Sequence, residues 1–292
     1  MSTTASGSAT PTHDPTRTTS RRRRLSQNLS GRTRDVRGAT REAIEQSGTG
    51  TGGGSTTVIA GGAAAIGGLA FLRSLGAFRQ WLARLFDEHV LEPTAARAIL
   101  RGAHWTSSPI QSSYETGLRR AQSALRTREY DIGDRQAAAV ITDDIHQEAL
   151  AREFERAYYD IEDAIANTQQ EVSRAIADGG YIDGDTADVN TSELASTINE
   201  RIDANHGKRL DPLANSIPVR AANRAAVEAY KRAGVEQVGV EPEADVTFQT
   251  SEDRFVCEEC KEVAADNPYP LSEVPFPTLD THLRCRCLIL PL

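Results

Sequence analysis

The chain has 292 residues, 39% of them hydrophobic and 5% aromatic, with a formal net charge of −8. That length allows one large or two modest domains, and the apolar share suffices for a core of Ala, Ile, Leu and Val. Charge is unevenly placed: residues 1–56 hold nine arginines against four acids, net +5, and residues 57–292 hold 24 bases against 37 acids, net −13. The body is therefore excluded as a broad nucleic-acid binder, and only the N-terminal stretch is able to attract phosphate.

Three of the 33 basic residues are lysines (Lys208, Lys231, Lys261), and an acidic chain that favours Arg over Lys suits a salt-adapted organism. The first thirty residues carry no apolar stretch of the secretory kind, so the cysteines are expected in a reducing compartment.

Residues 1–56 read as a disordered basic arm, rich in Ser, Thr, Gly and Arg and poor in large apolar residues. Arg21, Arg22, Arg23 and Arg24, then Arg32, Arg34, Arg37 and Arg41, make it a candidate phosphate binder, against the plainer reading of a solvated tail. Val58 to Leu72 is an uncharged run of 15 residues, short of the roughly 20 that span a bilayer. Its small residues suit close helix contact, with membrane contact through 58–72 as the lesser alternative.

Residues 72–128 read as helices, with Leu72, Leu75, Phe78, Leu82, Leu85 and Phe86 on one face, Pro93 and Pro109 as boundaries, and Thr94 and Ser112 or Ser113 as N-caps. Ile145, Leu150, Phe154, Tyr158, Ile161, Ile165, Val172 and Ile176 predict a long helix over 139–178, stopped by Gly179-Gly180. After an acidic loop, Thr191 or Ser192 caps a helix carrying Leu194, Ile198 and Ile202. Pro218 then opens a third helix over 218–233, closed by Gly234. Beyond Gly234 the period changes. Val235, Val238 and Val240 predict one strand, Val246, Phe248 and Thr250 a second, and Cys285 to Leu290 a third piece of a small sheet.

All four cysteines and one of six histidines fall within residues 257–287. Cys257-Glu258-Glu259-Cys260 is followed by His282-Leu283-Arg284-Cys285-Arg286-Cys287. A CxxC turn presents two thiolates from one tight loop, and a second loop completes a tetrahedron, so four of Cys257, Cys260, His282, Cys285 and Cys287 are expected to hold a structural Zn²⁺. A disulfide such as Cys257–Cys260 or Cys260–Cys285, and free buried thiols, are the alternatives. Other chemistry is weak. Asp143-Asp144 with Glu148 reads as a solvated helix face. His89, His104 and His146 lie in helical segments without a second ligand one turn away. There is no nucleophile elbow, P-loop, dinucleotide fingerprint or HExxH.

Thr250-Ser251-Glu252-Asp253-Arg254-Phe255-Val256-Cys257-Glu258-Glu259-Cys260, a Pro-rich spacer and His282-Leu283-Arg284-Cys285-Arg286-Cys287 together resemble the ending of the phage Mu protein F-like head morphogenesis family. Val219-Arg220-Ala221-Ala222-Asn223-Arg224-Ala225 and Tyr230-Lys231-Arg232-Ala233-Gly234-Val235 extend the likeness over roughly 145–292, about half the chain. The chain departs from the family in three places. Leu283 stands where Pro often follows the His, Ala264-Ala265-Asp266-Asn267 replaces an Asp-Gly turn, and Ser216-Ile217-Pro218-Val219-Arg220 replaces an Arg-Thr-Glu opening. The resemblance implies a minor capsid protein of a tailed virus, here of a haloarchaeal virus or provirus. Such a protein sits inside the head and in the host cytoplasm during assembly. It contacts the portal protein, and the major capsid or scaffold protein, in procapsid assembly, DNA packaging or DNA ejection.

The expected fold class is α+β: a disordered arm (1–56), an apolar segment with helices available for portal docking (57–128), a helical core (129–234) and a small β-module with the Cys/His cluster (235–292). Two functions compete. One is a non-enzymatic assembly protein without a small-molecule substrate, whose basic arm meets packaged DNA. The other is a zinc-dependent hydrolase or nuclease carried in the virion, with Glu258, Glu259 or Asp266 as base.

Overall fold

In the computed structural model the described residues are 14–48, 69–130, 132–182, 189–234, 245–251 and 256–292. They form a mainly α-helical body with long helices, followed by a small C-terminal β-hairpin with the cysteine cluster, as the sequence leads one to expect. The helices are α1 (Thr19–Gly48), α2 (Leu75–Phe86), α3 (Ala96–Leu100), α4 (Ser107–Thr127), α5 (Ala137–Val140), α6 (Asp144–Asp178), α7 (Thr191–Asn205), α8 (Asp211–Arg232) and α9 (Glu258–Ala265). Strands β1 (Val246–Gln249) and β2 (Leu288–Pro291) pair antiparallel, with Phe248 opposite Ile289. The chain makes two compact units: Met1–Arg21, Gln111–Leu150 and Ser216–Leu292 form one, Arg22–Ile110 and Ala151–Asn215 the other.

The basic arm departs from that expectation. Residues 19–48, read as disordered, are a 30-residue helix; residues 1–13 and 49–56 lie outside the described residues. Leu25, Leu29, Thr33, Val36, Thr40 and Ile44 recur every three or four positions and are all buried. This is a helical stripe whose period is masked by two threonines. Thr33 Oγ1 donates to the Leu29 carbonyl and Thr40 Oγ1 to that of Val36, so each hydroxyl is satisfied within the helix and its methyl can pack. Full burial of the four aliphatic side chains is worth roughly 6–12 kcal/mol of gross transfer energy, enough to order a segment that composition alone assigns to solvent. Asp14 begins the helix. Its carboxylate accepts from the N–H groups of Thr16, Thr18 and Thr19 and from the hydroxyls of Thr16 and Thr19. It also offsets four consecutive arginines placed unfavourably near a positive helix end.

In the second unit α1 is fastened by polar contacts. His206 lies in a π-helical turn (His206–Leu210) leading into α8. Its Nδ1 donates to Thr33 Oγ1 over 3.0 Å, and Ser30 Oγ donates to its Nε2 over 3.1 Å. Arg32 pairs with Glu92 at 2.6 Å and lies over the Trp105 ring; Arg37 pairs with Asp203 at 2.7 Å. His104, buried in the turn before α4, is held by Thr106 and the Leu91 carbonyl. In α2 the expected face is buried through Phe78, Leu82, Leu85 and Phe86, capped by Ser74. Of the apolar run, residues 58–68 lie outside the described residues, and Ala70–Leu72 forms one 3₁₀ turn. Among the described residues no helix is long and apolar enough to cross a membrane.

Several boundaries move. Helix α4 starts at Ser107, placing Pro109 in its first turn, where a missing N–H costs nothing, and Ser112 and Ser113 inside it. Thr94 does not cap α3; its hydroxyl donates to the Glu92 carbonyl. The long helix begins at Asp144, because 137–140 makes a separate turn and the Asp143 carbonyl receives the N–H groups of His146 and Gln147. It ends as expected: Gly180 has φ +71°, and Tyr181 N–H reaches back to the Ile176 carbonyl. The cap of α7 is Asn190, one residue before Thr191, accepting from Glu193 N–H. Pro218 lies inside α8 rather than opening it. Ala214, Ile217, Val219, Ala221 and Ala222 are wholly buried on both sides of it, and that packing outweighs one lost helical hydrogen bond. The strand expected at Val235, Val238 and Val240 lies outside the described residues.

In the first unit α4 and α8 meet backbone to backbone. Gly117 is so close to Ala222 that a β-carbon on it would lie 2.6 Å from the Ala222 Cα. Asp143 is held bidentately by Arg135, at 2.8 and 3.0 Å, and also by Arg232. It is an ion-pair anchor rather than part of a solvated helix face. Buried His146 is hydrogen-bonded through Nδ1 to the Tyr114 hydroxyl, 2.9 Å away, while its Nε2 has no partner among the described residues.

Candidate metal centre

The five candidate donors come from two short turns. Cys257 is the extended residue that caps α9, and its Sγ accepts the Cys260 N–H over 3.3 Å. One helical turn thus presents both CxxC sulfurs. The second turn is His282-Leu283-Arg284-Cys285, closed by Cys285 N–H donating to the His282 carbonyl over 3.2 Å. Arg284 takes the left-handed conformation there, φ +71°, and its N–H donates to Ser216 Oγ at 3.2 Å. Cys287 follows, and the chain enters β2.

These turns converge on Cys260. Its Sγ lies 3.4 Å from His282 Nε2 and 3.6 Å from Cys285 Sγ. A tetrahedral zinc with bonds of about 2.3 Å to sulfur and about 2.0–2.1 Å to nitrogen sets those edges near 3.6 and 3.8 Å. Donor atoms of Cys257, Cys260 and His282 lie within 4.8 Å of one another, as do those of Cys260, Cys285 and Cys287. All five residues line one cavity of about 20 Å³, room for a single small species. His282 Nδ1 donates to the Leu283 carbonyl over 2.7 Å, which leaves the Nε2 lone pair facing Cys260.

The buried thiols set one another's ionisation, and Arg284 and Arg286 also line the cavity. Hydrogen bonding to Cys260 pulls the Cys285 thiol far below its ordinary range, while hydrogen bonding to Cys285 drives Cys260 far above it. Cys287 is pushed up to about 12: its hydrogen bond to Cys260 lowers it, but that to Cys285 and burial outweigh this. Closely packed thiolates repel one another, and a bound metal ion relieves that repulsion. No disulfide joins them.

Side chains that the sequence did not single out hold this centre. Asn223 of α8, wholly buried, donates from Nδ2 to the Cys287 carbonyl (3.0 Å) and accepts at Oδ1 from Ile289 N–H (3.3 Å), standing in for a neighbouring strand. Tyr230 OH donates to the Ile289 carbonyl. Asn267 does for β1 what Asn223 does for β2, accepting from Phe248 N–H and donating to its carbonyl. A buried amide spaced for two backbone groups of one strand is the signal, but it is readable only once the strand's place is known.

The eight arginines of the expected phosphate-binding set divide. Arg21 is engaged with Ser112 and the Arg17 carbonyl, Arg32 with Glu92, and Arg37 with Asp203; Arg22 is half-buried. Arg23, Arg24, Arg34 and Arg41 are exposed on α1, as are Asp35, Glu42 and Glu45. Glu258 pairs with Lys261, and Glu258, Glu259 and Asp266 are all exposed and away from the cavity. No protein-family model, curated protein or solved structure matches this chain.

Proposed function

We propose that this chain is a non-enzymatic assembly protein of a tailed-virus head, of the kind its resemblance to the phage Mu protein F-like family implies. One zinc ion fastens its C-terminal β-module. The observation that carries the reading is the cavity of about 20 Å³ ringed by four sulfurs and an imidazole, with no carboxylate among the described residues lining it. Space for one ion, with no carboxylate among the described residues lining it, makes a staple rather than a reaction centre. The partners are the portal protein, the major capsid or scaffold protein, and packaged DNA met by Arg23, Arg24, Arg34 and Arg41 on α1. Co-expression with the portal protein tests this. Co-purification with about one zinc per chain is expected, and a chain that carries zinc yet ignores the portal refutes the assembly role.

The cluster itself also favours a second reading, a zinc-dependent hydrolase or nuclease carried in the virion. Cys257 and His282 are half-exposed, so solvent reaches one side of the shell, as an open coordination position requires. Zinc-dependent cleavage of DNA that chelation abolishes without unfolding the chain would decide for it.

A further inference from the structure

We propose that the metal shell is Cys257, Cys260, His282 and Cys285, and that Cys287 supports it through its backbone N–H rather than its sulfur. The proposal rests on the zinc reading above and deepens it. Five donors compete for four places, and the two turns treat their residues alike. In the first, the Cys260 N–H donates to Cys257 Sγ at 3.3 Å; in the second, the Cys287 N–H donates to Cys285 Sγ at 3.5 Å. A main-chain N–H aimed at a sulfur favours its thiolate form, the form a metal takes. By that pattern Cys257 and Cys285 are the sulfurs each turn is built around.

Cys260 and His282 complete the set by distance. Cys260 Sγ is 3.4 Å from His282 Nε2 and 3.6 Å from Cys285 Sγ, and the hydrogen bond from His282 Nδ1 to the Leu283 carbonyl fixes the tautomer that ligation needs. Arg284 takes the left-handed conformation inside the turn that joins His282 to Cys285. The Cys287 sulfur stands within 4.8 Å of those of Cys260 and Cys285, but its main chain is fixed elsewhere. Asn223 clamps its carbonyl and the N–H of Ile289, so its backbone already belongs to the strand register and is not free to follow an ion.

The test is cobalt substitution of the full chain, read by thiolate-to-cobalt charge-transfer absorption, whose intensity scales with the number of thiolate ligands. Cys287→Ser is expected to keep the full intensity at one cobalt per chain, and Cys285→Ser to lose about a third of it. Loss in Cys287→Ser with retention in Cys285→Ser, or loss in both, overturns the assignment. Should either variant misfold, the unaltered chain loaded with NMR-active cadmium gives the answer: scalar coupling from cadmium to the Cys285 β-protons is expected, and coupling to those of Cys287 refutes it. Wild-type chain that takes up no zinc, cobalt or cadmium refutes the zinc reading itself, an outcome distinct from a wrongly assigned ligand.

Discussion

Replacing Gly117 by alanine tests the packing that supports the metal centre. Gly117 is buried where α4 meets α8, and a β-carbon there would collide with the Ala222 carbonyl group and lie 2.6 Å from its Cα. Ordinary carbon–carbon contact is near 3.5–4.0 Å, so the helices must part by about 1 Å. Alanine gains about 1 kcal/mol of helix propensity over glycine. Overpacking a tight site typically costs about 1–3 kcal/mol, and here the obstacle is backbone, which no rotamer change relieves. We expect a net loss of about 2 kcal/mol. Because the next residue, Asn223, holds Cys287 and Ile289, zinc affinity should fall with it. Gly38→Ala is the matched control: Gly38 is exposed on α1, and among the described residues nothing outside its own helix backbone lies within 4 Å of its would-be β-carbon, so the same propensity gain should stabilise by about 0.5–1 kcal/mol. Urea unfolding of both variants gives the comparison. Equal stabilisation of Gly117→Ala and Gly38→Ala would refute the close crossing of α4 and α8.

Asp14→Ala removes the acceptor of three N–H groups at the start of α1; loss of about 1–2 kcal/mol in urea unfolding is expected, and an unchanged midpoint counts against an ordered α1. Glu129, exposed after α4, has φ +63°, with Tyr130 N–H donating to the Leu125 carbonyl, so Glu129→Gly should raise stability by about 1 kcal/mol; a lower melting temperature contradicts that geometry. Burial lowers the pKa of His104, His146 and His206. The unfolded chain therefore binds more protons than the folded one once pH drops below the ordinary histidine value of about 6.5. Stability is full above that pH and declines below it, as far as the depressed folded values. Urea midpoints of chelator-treated protein should fall between about pH 7 and pH 5, and a flat profile would place these imidazoles in water.

The arginines of α1 show how composition misleads. Residues 19–48 carry few apolar groups, yet those few fall at helical spacing, and two threonines complete the stripe by bonding back to their own helix. Folding then converts an apparent field of positive charge into a mixed surface. Arg32 and Arg37 turn to acids, and the four exposed arginines share α1 with Asp35, Glu42 and Glu45. Dense local patterns behaved differently. The faces of α2 and α7, the glycine stop of α6 and the alternation of β1 all emerge where expected, since each is set by residues within one or two turns of each other.

The sequence by itself determined the donor set of the candidate metal centre, because a thiol pair in a CxxC turn and an imidazole–thiol pair in an HxxC turn are local arrangements, fixed by chain geometry over four residues. It also determined that helices make the body, through the period of their apolar residues. Only the tertiary structure decided that the two turns meet at Cys260, that Asn223 and Asn267 take the place of missing strands, and that Gly117 must lack a side chain. Those contacts join residues tens of positions apart. Their energy depends on which backbone groups burial leaves without a partner, and spacing along the chain carries no record of that.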